Sequence, residues 1–85
     1  ELEIVEDTMK VVLFENGTVE IYKDGEKINE VTWKILEKEV HVFDEIKTAV
    51  MKIEPNGDLI LIAEIIGGKR TGLPKEMRRT YKKIK

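Results

Sequence analysis

Three residue pairs constrain this chain more than anything else in it. Asn16-Gly17, Asp24-Gly25 and Asn56-Gly57 are X-Gly dipeptides, and Gly67-Gly68 is a fourth strong break. Such pairs supply the positive φ angles of hairpin turns. Weaker polar breaks fall at Glu37-Lys38 and Asp44-Glu45. Short apolar stretches separate these turns at intervals of about 7 to 12 residues, the rhythm of an antiparallel β-meander. The stretches have strand chemistry. Met9 to Phe14 is rich in β-formers, and Val19 and Ile21 share a face in Thr18 to Lys23. Val31, Trp33 and Ile35 alternate with Thr32 and Lys34, and Ala49, Met51 and Ile53 lie opposite Val50 and Lys52. Leu59 to Ala63 is apolar on both faces, which suits a central strand.

The sequence thus reads as one domain over 1–85, an all-β antiparallel meander of six or seven strands curled into a half-barrel or small barrel. The alternative is α+β with a C-terminal helix. Pro74 suits a helix N1 position, and Leu73, Met77, Tyr81 and Ile84 fall on one helical face. A closing strand at 80–84 is the competing reading. Residues 31–50 also fit a helix in part, but β-branched content and strict alternation favour strands there. Residues 1–7 read as a flexible N-terminus, because Glu1, Glu3, Glu6 and Asp7 repel one another. The expected core is Val11, Leu13, Val19, Ile21, Val31, Trp33, Ile35, Met51, Ile53, Leu59 and Leu61.

The length of 85 residues allows one modest core and no interdomain cleft. Cysteine is absent, which removes disulfides, thiolate catalysis and cysteine-based zinc sites. Serine is absent too, so a Ser-His-Asp arrangement is excluded. No stretch approaches the ~18 apolar residues of a membrane-spanning helix. Glutamate and lysine are abundant, a thermophile-like leaning. The first residue is Glu1 and not Met, which reads as removal of an initiator or a leader or as a trimmed chain, and the compartment stays open.

The order of several motifs resembles a known group. Leu13 to Tyr22 carries an F-x-x-N-G-T hairpin, Thr32-Trp33-Lys34-Ile35 a Trp-Lys strand, Ile53 to Leu59 an N-G-D-L hairpin, and Tyr81-Lys82-Lys83-Ile84-Lys85 a Tyr-Lys-Lys closing strand. Together they resemble the small bacterial lipocalin-like domains, which are calycin-type β-meanders. The resemblance spans nearly all of residues 8–85. It implies a final strand at 80–84, a non-catalytic binding or accessory role, and a secreted or lipid-anchored location for a chain that has lost a leader. Two departures, the missing N-terminal Gly-x-Trp and the short chain, argue against a roomy closed barrel.

Candidate chemistry is sparse, and no residue is assigned to a catalytic, cofactor-binding or metal site. His41 is the only histidine and reads as a half-exposed strand residue between Val40 and Val42. Trp33 reads as the largest core side chain, with a ligand-cavity wall as the functional alternative. Gly67 to Gly72 lacks the order of a phosphate loop and reads as a flexible loop. Carboxylates cluster at Glu6/Asp7, Asp24/Glu26, Glu37/Glu39 and Asp44/Glu45; they read as a solvated rim, with divalent-cation binding as the alternative. Residues 1–68 carry 7 Lys/Arg against 16 Asp/Glu, a balance of −9, and residues 69–85 carry 8 against 1, a balance of +7. The basic segment is expected to compensate the acidic body. Its alternative is a nucleic-acid or anionic surface site using Arg78, Arg79, Lys82, Lys83 and the single aromatic Tyr81. The first expectation for function is a non-catalytic binder of a small ligand or a protein partner; an enzyme is disfavoured, nucleic acid is not the expected partner, and oligomeric state is open.

Overall fold

The computed structural model describes residues 1–84. They form nine strands: β1 Leu2–Glu6, β2 Met9–Leu13, β3 Thr18–Lys23, β4 Glu26–Leu36, β5 Glu39–Phe43, β6 Lys47–Ile53, β7 Leu59–Ile66, β8 Lys69–Gly72 and β9 Arg79–Lys83. A single 3₁₀ turn, Lys75–Met77, interrupts them between β8 and β9. All pairings are antiparallel, and β1 to β7 follow one another as neighbours. Strand β9 then fits between β7 and β1 and closes an eight-stranded barrel. Strand β8 stays outside the ring: it continues along the edge of β7 past the end of β9, pairing Ala63 with Gly72 and Ile66 with Lys69. The all-β meander and small barrel expected from the sequence are what forms.

The turns explain the meander. Glu37 and Lys38 both have positive φ, as do Asp24 and Gly25 and also Gly67 and Gly68. Positive φ at both central residues is the signature of two-residue hairpins whose twist matches that of the strands. The Asn16-Gly17 and Asn56-Gly57 turns are built alike. In each, the glycine N–H bonds back three residues, to Phe14 O or Glu54 O, and the asparagine Oδ1 accepts from the N–H two residues on. Gly57, at φ 94°, holds a backbone conformation that favours glycine, and a Cβ there would also displace the Lys83 side chain, whose Cδ lies 2.6 Å away.

Inside the barrel, Ile4, Val11, Leu13, Val19, Val40, Val42, Met51 and Leu59 form one buried cluster. Leu2, Ile21, Val31, Trp33, Ala49, Leu61 and Tyr81 pack against it in part. One end of the barrel is tied shut: the Trp33 indole donates to Phe14 O at 2.8 Å, and its backbone N–H donates to Gly17 O.

Several expectations are corrected. The strand count is nine, because Leu2–Glu6 and Lys69–Gly72 are both strands. Residues 2–6 are not a loose terminus: they pair with β2 and β9, and Ile4 is completely buried. The repulsion among Glu3, Glu6 and their neighbours is relieved by cations across the sheet, Lys10 near Glu3 and Arg79 near Glu6. The 69–72 segment is no flexible loop, because Gly67-Gly68 turns the chain back onto the open edge of β7. No α-helix forms at the C-terminus; the unfilled backbone edges of β7 and β1 take 79–83 as a strand instead. Ile35 and Ile53 are 55% and 42% exposed and leave the core list. Alternation fixes a residue's face but not its depth along the barrel axis, and both sit beside end turns. Ile84 is also exposed, although its N–H reaches Glu3 O.

Candidate functional site

The end of the barrel opposite Trp33 is open. Strand β9 pairs with β1 over two residues, Ile4 with Lys83 and Val5 with Lys82. Nearer the open end, Arg79 to Tyr81 pair with β7 alone, and an Arg79–Glu6 contact at 3.4 Å spans the gap to β1. Strands β6, β7 and β8 run on past the ring as a three-stranded tongue. Residues 73–78 leave the edge of β7 opposite Ile62, whose carbonyl accepts the Leu73 N–H. Between tongue and loop lies a groove of about 540 Å³ lined by Lys47, Leu61, Glu64, Leu73, Glu76, Met77, Arg78, Arg79 and Tyr81.

A second, smaller space of about 120 Å³ enters the barrel itself. Met9, Val11, Ile21, Val31, Val42, Ala49 and Met51 make it apolar, with Asp44 at its mouth. Lys47 and Tyr81 line both spaces, so these two side chains form the partition between groove and chamber. Lys47 is held by Glu64 at 2.7 Å. Burial, and to a lesser degree the Glu6 carboxylate, push the Tyr81 phenol above its ordinary range, so it is a protonated donor at neutral pH. Its hydroxyl makes no hydrogen bond within the described residues. Arg78 is anchored differently from the other cations: its Nε donates to Leu73 O at 3.1 Å, and no described carboxylate pairs with it.

The residues singled out in the sequence are dispersed. His41 is 9% exposed and so buried, not half-exposed, on the outer face of the barrel. It is in register with Val50, which is in register with Ala63; both are buried outside the interior cluster. Glu39 Oε1 lies 3.3 Å from His41 Nε2, and the same carboxylate takes two bonds from Arg70, at 2.9 and 2.8 Å. Arg70 and Glu39 are three strands apart, so their pair crosses β6 and β7 and roofs Val50 and Ala63. The Arg70 bonds, and then that of His41, hold the Glu39 carboxyl down to about 2. His41 is therefore far from the groove in role, part of a buried outer-face cluster. Trp33 stands at the closed end and does not line the chamber. The carboxylates stay spread over the surface, and among the described residues no three His, Asp or Glu side chains are grouped to hold a metal ion.

Of the eight cations in the basic segment, Arg70 and Arg79 pair with Glu39 and Glu6 of the acidic body. Lys82 and Lys83 lie on the β9 strand, and Lys85 lies outside the described residues. Sequence reasoning missed the groove as a site, yet one signal for it was present. Leu73, Met77 and Tyr81, grouped by helical spacing, do converge on one surface, through a loop and a strand and without a helix.

Among the described residues, no helix is long and apolar enough to cross a membrane. Comparison with protein-family models, with curated proteins and with solved structures finds no match to this chain.

Proposed function

We propose that this protein is a non-catalytic binding module, a small lipocalin-like barrel that takes a compact apolar ligand at its open end. The observation that carries this reading is an apolar chamber beside a groove, the two sharing the side chains of Lys47 and Tyr81 as a common wall. Binding sites are concave, mainly apolar and furnished with a few polar groups that orient the ligand. The open end fits that description, and the closed end does not. A binder is favoured over an enzyme because the chain has no serine or cysteine and its single histidine is engaged with Glu39 on the outer face. The nucleic-acid reading is weaker. Two arginines of the basic segment face carboxylates, and Tyr81, the one aromatic there, lines the barrel interior instead of presenting a stacking face.

A titration of the full chain with 3-methyl-1-butanol, followed by ¹H–¹⁵N correlation spectra, tests the proposal. The chamber is a little smaller than the ~150 Å³ apolar cavity that holds benzene, so a branched five-carbon probe matches it. Saturable shifts should concentrate at Val31, Ala49, Met51 and Tyr81, and filling the chamber with Ala49→Leu should abolish them. Shifts that are absent, or scattered and unaffected by Ala49→Leu, would overturn the reading.

A further inference from the structure

We infer that the open end is a carboxylate site, and that its ligand is a small monocarboxylate whose branched or compact apolar group enters the chamber. This rests on the binding-module reading and adds the chemistry of the ligand's polar end. Three charges on the groove, Lys47, Glu64 and Arg79, have a counter-charge in reach. Lys47 is tied to Glu64, and Arg79 faces Glu6. That leaves Arg78 as the cation without a carboxylate partner among the described residues. Its guanidinium is fixed by one bond, Nε to the Leu73 carbonyl, so the side-on edge of the fork is occupied and the two terminal amino groups remain. Those two donors match the two oxygens of a carboxylate, the bidentate geometry for which arginine is suited and lysine is not. The Tyr81 hydroxyl, protonated at neutral pH and unpartnered, stands where groove and chamber meet and offers a further donor.

The apolar end follows from volume. A space of about 120 Å³ admits a branched group of four or five carbons and excludes a long chain in full. Glu76 also lines the groove, two residues from Arg78, and opposes an incoming anion. Its presence makes the inference sharper, because removing its charge should strengthen binding of an anion and leave a neutral ligand unaffected.

The experiment compares 4-methylpentanoate with 4-methylpentanamide, which share one apolar group and differ in charge. Dissociation constants come from ¹H–¹⁵N spectra of the intact chain at pH 7 and low salt. The carboxylate is expected to bind about tenfold more tightly than the amide, the size of one charge-assisted contact. Arg78→Gln should erase that preference while amide binding persists, and Tyr81→Phe should weaken the carboxylate severalfold. Glu76→Gln should tighten the carboxylate two- to threefold and leave the amide unchanged. Spectra of each variant report the fold directly, and Arg78 and Glu76 are exposed, so their substitution leaves the core intact. Equal binding of acid and amide, or a preference untouched by Arg78→Gln, would overturn the inference. In that outcome 3-methyl-1-butanol still binds and the module reading stands. Failure of all three probes sinks both.

Discussion

At the scale of single residues, burial and partnership decide what a side chain contributes. Trp33 is the clearest case. Its ring packs on the interior cluster and its indole N–H is satisfied by Phe14 O. Truncation to alanine should cost about 3 kcal/mol, the low end for buried tryptophan, because the ring is partly exposed. Trp33→Phe isolates the lost hydrogen bond and should cost about 1 kcal/mol. Urea midpoints check both, and a midpoint that barely moves for Trp33→Ala would place the ring outside the core. Glu39 makes a second, pH-linked prediction. Its carboxyl is held down to about 2, mainly by Arg70, from an ordinary 4.5. A depressed carboxyl stabilises the fold fully above its unfolded value and loses that contribution as pH falls towards its folded value. Arg70→Ala should therefore lower the urea midpoint at pH 7, by an amount limited by solvent screening of a half-exposed guanidinium. The difference from wild type should shrink between pH 4.5 and 2 and vanish below that. A difference independent of pH would show that Arg70 acts through packing over Val50 and Ala63 instead.

At the scale of elements, the turns were legible and the edges were not. Asn16-Gly17 and Asn56-Gly57 announce hairpins by chemistry alone, and both form with the same bond pattern. Strand β1 was invisible because its charge pattern obscures Ile4, which is buried only when β9 returns from the far end of the chain to complete the ring. The same long-range closure decided the C-terminus. Periodicity over 73–84 fitted a helix, but a β-barrel with one open seam takes a strand there. Only the spacing of Leu73, Met77 and Tyr81 hints at the open-end groove, since its shape depends on how β8 runs along β7 outside the ring and on the loop that follows. Glu37 and Lys38 are the least suited residues in the turns, with φ of 50° and 68° and no glycine between them. Non-glycine residues in that region cost on the order of 1 kcal/mol or more each. Replacing Glu37-Lys38 with Asn-Gly should raise stability by about 1 kcal/mol in thermal melts, with no change in the ligand spectra. A loss of stability would mean that the turn is held by side-chain contacts and not by its backbone.

At the scale of the whole molecule, the barrel is asymmetric along its axis. One end is tied by Trp33 and the Phe14–Thr18 turn, and the other opens between the tongue and the loop 73–78. The β1–β9 seam is two residue pairs long, reinforced by Ile84 N–H to Glu3 O, while Asp58 Oδ1 accepts from the Lys83 N–H at 2.8 Å and ties β9 to the turn before β7. The central claim is that the chamber behind Tyr81 and Lys47 is an apolar space open to a small molecule. Xenon pressurisation of crystals tests it most directly, since xenon occupies dry apolar cavities of this size. The account predicts one ordered xenon between Val31, Met51 and Tyr81, lost in Ala49→Leu; a chamber without xenon in the wild-type protein, its space taken by repacked side chains, would contradict it.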